Sequence, residues 1–150
     1  MKEPPKFMYK ILKILIILVV VLWGAVFVKN KIESRQIAAN LETIKQGIEA
    51  NTVTAYTDDH GNSIKVEMTT KSDDEAFQSL KSGLPALAKS GVFEKLKNYA
   101  TLLVVDSIVN PDTGEEIDSV AVLLPISKIG EIPWTKITNF DSLIEWSNLN

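Results

Sequence analysis

Four groups of side chains have the types that chemistry needs. The single histidine, His60, stands beside Asp58 and Asp59. An imidazole near carboxylates is the standard make-up of a general base or a metal ligand. "SDDE", Ser72 to Glu75, places three carboxylates in a row, the donor type of a hard-cation site. Asn110, Asp112, Glu116 and Asp118 surround Gly114 in an oxygen-rich loop. Asp106 stands alone inside the apolar run "TLLVVDSIV". An ionised carboxylate there must face water or a partner, so Asp106 either lies on an outward strand position or lines a cleft as a functional acid.

The first three groups have structural readings as well. His60 sits at a hairpin tip, where Asp58, Asp59, Gly61 and Asn62 supply the turn. Ser72 and Glu75 match a helix capping box, with Asp73 and Asp74 suited to the positive end of the helix dipole. The 110–118 loop fails the calcium pattern D-x-[DN]-x-[DN]-G, because Gly114 stands where a ligand is needed. It reads instead as a solvated hairpin loop. There is no glycine-rich phosphate loop and no H-E-x-x-H, and His60 is the only candidate base for a Ser-His-Asp set. No cofactor or metal is expected and the chain reads as a non-enzyme. A hydrolase using two carboxylates is the remaining catalytic alternative.

The elements that position these residues begin with "KILKILIILVVVLWGAVFVKNK", residues 10–31. Ile11 to Val28 is interrupted by one charge, Lys13, whose long stem can carry the ammonium back to the headgroups. Eighteen helical residues span roughly 27 Å, close to the ~30 Å hydrocarbon core. Leu18 falls mid-span and Trp23 about one turn from the far end, an interfacial depth for an aromatic. The run is apolar all round, so lipid rather than a protein core is its expected surrounding. "LWGAVFV" has bulky residues where signal cleavage needs small ones, and the chain has no cysteine for a lipid anchor. The segment is read as a retained signal anchor.

The division is a cytoplasmic tail over 1–10, an anchor over 11–28, a juxtamembrane helix over 29–50 and a soluble domain over 51–150. Lys2, Lys6, Lys10 and Lys13 on one flank against Lys29, Lys31 and Arg35 on the other place the N-terminus inside. Residues 1–35 carry formal charge +5 and residues 36–150 carry −8. An acidic domain argues against nucleic acid, and its expected partners are the lipid bilayer and another envelope protein. Absence of cysteine excludes disulfides and thiol chemistry.

Ile37, Leu41, Ile44 and Ile48 form one helical stripe. It either dimerises the protein as a short coiled coil or packs on its own domain. "TVTAYTDDHGNSIKVEMTT" reads as a hairpin, a helix opens at Ser72, and Gly83 with Pro85 are expected to break it. Ser90 and Gly91 end it before "VFEKLKNY". "TLLVVDSIV" and "IDSVAVLLPI" form the strongest strands around a Pro111–Gly114 turn, and Asn139 caps a last helix. Trp134 and Trp146 either fasten this tail to the core or form a partner-docking surface. The fold class is α+β: a four-stranded antiparallel sheet with helices on one face, behind one transmembrane helix.

An anchor followed by a small α+β domain, the strand 117–126 and a tail carrying Ile132, Trp134, Asn139 and Phe140 resembles uncharacterised cell-envelope proteins of Gram-positive bacteria. The helix–hairpin unit behind the anchor resembles the PepSY and cystatin-like envelope modules. Neither resemblance implies a defined activity. The function expected is that of an extracytoplasmic protein-binding or accessory module of the envelope, with a structural subunit of a secretion or conjugation apparatus as the alternative.

Overall fold

The computed structural model describes residues 6–59 and 61–150. His60 and the first five residues, Lys2 among them, lie outside the described residues. Helix α1 runs Lys6–Gly47, so residues 11–28 and 29–47 belong to one continuous helix. Strands β1 (Thr52–Asp58) and β2 (Gly61–Thr70) follow, then α2 (Asp73–Ser90), α3 (Val92–Lys95), β3 (Thr101–Val109), β4 (Glu116–Pro125), a 3-10 turn (Ile126–Glu131) and α4 (Phe140–Leu149). Contacts divide the chain into two compact units, Met1–Ala38 and Ala39–Asn150.

The described part of the first unit, from residue 6 to 38, is a single helix, long and apolar enough to cross a membrane, and none of its most apolar stretch is buried within the chain. Ile11, Leu18, Trp23 and Val28 are all exposed along it. No proline interrupts it after residue 5 and its one glycine, Gly24, is insufficient to break so long a run of Leu, Ile and Val.

The second unit is an α+β domain whose sheet has the order β1-β2-β3-β4. The sheet is mixed, which corrects the expectation of an antiparallel one: β1–β2 and β3–β4 are antiparallel, but β2 and β3 run parallel. The reason is the length of the connection. An 18-residue helix is ~27 Å long and carries the chain back past the whole of β2, so β3 starts at the end where β2 started. This is a β–α–β crossover set between two hairpins.

α2 also corrects an expectation, because it continues through Gly83 and Pro85. Proline inside a helix costs about 3 kcal/mol. Here Phe77, Leu80, Leu84 and Leu87 bury one face of α2 completely or nearly so. Each buried side chain of this size contributes about 1.5–3 kcal/mol, enough to hold the helix together across the proline. The helix ends where expected, at Gly91, with φ of 80°.

Ile64, Val66 and Met68 of β2, Leu102 and Val104 of β3, and Val122 and Leu124 of β4 form the covered face of the sheet. Ile44 and Ile48, from the end of the stripe in α1, are fully buried in the same core, and Leu41 packs against it. The lower part of that stripe is therefore enclosed by its own domain. α4 is fixed at its start by reciprocal bonds: Asn139 Oδ1 accepts from Ser142 N at 2.9 Å, and Ser142 Oγ accepts from Asn139 N at 3.2 Å. Asn139→Ala removes one half of this box and is expected to lower the stability of the domain by about 1 kcal/mol, measurable as a shift of the urea midpoint. An unchanged midpoint would mean that packing of Phe140 and Leu143 alone sets the start of α4.

Candidate functional site

Chemistry-bearing residues converge where the end of β2, the middle of β3 and the first turn of α2 meet. Asp106 lies on the same face as Leu102 and Val104, paired across the sheet with Met68 on β2 and Val120 on β4. It is fully buried. It therefore points inward, toward neither solvent nor an open cleft. Alternation could not reveal this, because Leu103 and Val105 make the other face of β3 equally apolar in sequence.

Inside, Thr70 Oγ1 lies 2.9 Å from both carboxylate oxygens of Asp106. The same Oγ1 lies 2.9 Å from the carbonyl oxygen of Ser72. Ser72 caps α2, its hydroxyl accepting from Glu75 N at 3.2 Å. Glu75 returns the bond one residue earlier than a standard capping box, accepting from Lys71 N at 2.9 Å. Asp73 turns inward, and its buried Oδ1 has no hydrogen-bond partner. Burial pushes the Asp106 carboxyl up to about 6 from 3.8; the Thr70 hydroxyl opposes this, and the charge and hydrogen bonding of Asp73 and the charge of Glu75 add to it.

Outside, a cavity of about 190 Å³ is lined by Asp73, Asp74, Phe77, Asn139, Phe140 and Asp141. Asp73 thus stands between this acidic hollow and the buried Asp106, which is not part of the lining. Among the described residues no group of three histidine or acidic side chains converges to hold a metal ion. The 110–118 loop is an ordinary hairpin turn: Asn110 Oδ1 accepts from Asp112 N at 2.9 Å, and Gly114 takes φ of 70°.

Trp134 and Trp146 are both half-buried against the core. The Trp134 ring lies 6.5 Å from that of Phe77. α4 is tied to β4 by a hydrogen bond from the Ser147 hydroxyl to the Leu123 carbonyl.

Sequence reasoning did not find the uncovered face of the sheet. Leu103 pairs with Leu123 and Val105 with Ala121, giving an apolar patch on β3 and β4. Lys65 and Glu67, next to them on β2, form an ion pair of 2.8 Å. The Glu67 carboxyl is held below its usual range by the Lys65 ammonium and by the Thr52 hydroxyl, which donates to it at 2.7 Å. The odd-numbered residues of β3 were the available signal, and they become legible only once the helices are known to cover the even-numbered ones.

Comparison with protein-family models, with curated proteins and with solved structures finds no match to this chain. Fold and site define a class at most: an α+β domain with a four-stranded mixed sheet, preceded by one long apolar helix.

Proposed function

We propose that this chain is a single-pass protein of a bacterial cytoplasmic membrane, with its N-terminus inside and its acidic α+β domain outside, where the domain binds another protein of the envelope. The reading rests on α1. Trp23 and Phe27 are 77 % and 70 % exposed, and every large apolar residue from Phe7 to Val28 is open along a stretch that has no protein partner in the chain. Apolar surface of that length is stable in a bilayer and not in water. For the binding role, the uncovered sheet face supplies a contiguous apolar patch with an ionic rim, and Leu123 is 49 % exposed within it. The tail tryptophans, by contrast, are half-buried against the core.

The test is protease treatment of intact cells or protoplasts carrying a C-terminal tag. Loss of the tag without lysis is the expected result. A tag that survives until lysis would place the acidic domain in the cytosol and end the envelope reading. A second arm checks the anchor itself. Leu18→Arg, at mid-span, carries a penalty of about 2.5–3.5 kcal/mol for insertion, and is expected to move a large share of the protein from the carbonate-resistant membrane fraction to the soluble or degraded pool. Full retention would show that residues 11–28 do not span the bilayer.

A further inference from the structure

Thr70 faces more acceptors than it can serve. Its Oγ1 is 2.9 Å from each oxygen of Asp106 and 2.9 Å from Ser72 O, which also accepts from Ala76 N at 3.2 Å. A hydroxyl carries one hydrogen. Beside this group, Asp73 Oδ1 is buried without a donor. No cation makes up the deficit: among the described residues the ion pairs are Lys29–Glu33 and Lys65–Glu67, neither of which is at this junction. Lys71, the nearest basic residue in sequence, is exposed. The groups facing Asp106 are Thr70 and the apolar Met68 from β2, Asp73 and Glu75 from α2, and the apolar Val120 from β4. Asp74 and Asp141 line the hollow on the far side of Asp73 and add negative charge alone.

Adding one proton to this cluster removes the deficit. A protonated Asp106 can donate to Asp73, and the Thr70 hydroxyl is then left for the remaining Asp106 oxygen, while Ser72 O keeps its bond from Ala76 N. Every buried acceptor has a donor, and no bare charge is sealed in the core. We propose that Asp106 carries a proton in the folded protein and donates it in a hydrogen bond to Asp73, an acid-stabilised latch between β3 and the first turn of α2 that loosens when Asp106 loses that proton. The latch is independent of where the domain resides, so its failure and that of the membrane reading are separate.

The direction with pH follows from linkage. The folded carboxyl titrates near 6, above the 3.8 of an unstrained aspartate. The open state therefore loses its proton first as pH rises. Latch stability is full below about 4, falls between about 4 and 6, and is level above that. Opening of the latch rises at most tenfold per pH unit, about a hundredfold in total.

The experiment uses the full chain in lipid nanodiscs. Carbon-13 NMR of labelled aspartate carboxyls follows the titration, and hydrogen exchange, corrected for the intrinsic pH dependence, follows the amides of residues 73–77 from pH 4 to pH 8. One carboxyl titrating near 6, absent in Asp106→Asn, and an opening equilibrium that climbs about a hundredfold in the wild type but less than threefold in the variant are expected. If every carboxyl titrates below pH 5, or the exchange-derived opening is level from 4 to 8, the latch is overturned. Asp73→Asn keeps the test sharp if Asp106→Asn does not fold. An amide at position 73 donates to Asp106 and stabilises its ionised form, so the high titration should drop below 5. A titration that stays near 6 in that variant would show that Asp106 does not donate to residue 73.

Discussion

Gly83→Ala is expected to destabilise the domain by about 3 kcal/mol, at the top of the range for overpacking a closed site. Gly83 lies within α2 where the helix passes the end of α1. A methyl at its Cα would sit inside the contact distance of the Gly47 carbonyl oxygen, 2.9 Å from the Gly47 carbonyl carbon and 2.7 Å from Ile48 Cγ2. The first two are backbone atoms and do not swing away. Ile48 is fully buried, so it has nowhere to turn. Alanine gains about 1 kcal/mol of helix propensity over glycine, and the clash must exceed this before a loss is seen. Hydrogen exchange of the amides of Leu102–Val105 in the detergent-solubilised chain gives the loss as a fall in protection. Gly130→Ala is the control, since its nearest neighbour, Ala88 Cβ, is 4.0 Å away, an ordinary contact. Equal protection in both variants would show that α1 and α2 do not approach this closely.

Gly83 also illustrates where the sequence was opaque. A glycine followed two residues later by a proline is a breaker by local rules, and the local rules were overridden by contact. The glycine is there because the Gly47 backbone passes over it, and the helix survives Pro85 because Leu80, Leu84 and Leu87 are buried on one side. Elements governed by neighbours in sequence were legible. The β1–β2 hairpin followed from the alternation of Ile64, Val66 and Met68 with polar residues, and the helix starts followed from the hydroxyl of Ser72 and the amide of Asn139. Elements governed by distant neighbours were not. Parallel pairing of β2 with β3 depends on where an 18-residue helix delivers the chain. The inward turn of Asp106 depends on which face of β3 those helices cover, and both faces read as apolar. The same holds for the Asp73–Asp106 junction: its members are 33 positions apart, and the acids of "SDDE" were fully accounted for by capping, which left nothing in the sequence to point at Asp106.

Phe77→Ala should cost about 3–5 kcal/mol, the usual loss for a buried phenylalanine truncated to a methyl. For a domain whose total stability lies in the common range of about 5–15 kcal/mol, that is a large share. Phe77 is 1 % exposed and joins α2 to α4 and to the turn that carries Trp134. Its ring meets Phe140 of α4 edge-on at 5.8 Å, lies 6.5 Å from Trp134 and sits 5.8 Å beneath the Lys81 ammonium. Aromatic pairs of this kind add about 0.5–1.5 kcal/mol beyond burial. The variant also decides between the two readings of Trp134. If the indole fastens the tail, removing Phe77 opens a void against it. Trp134 emission, read in a background with Trp23 and Trp146 replaced by phenylalanine, should then shift to the red together with a lower urea midpoint. Phe77→Leu, which keeps most of the volume, should lose much less. If instead the midpoint falls while Trp134 emission stays fixed, the indole is independent of the core and becomes a surface for docking. If neither moves, the Phe77–Phe140 contact is not what holds α4 to α2, and the acidic hollow between those helices has no fixed floor.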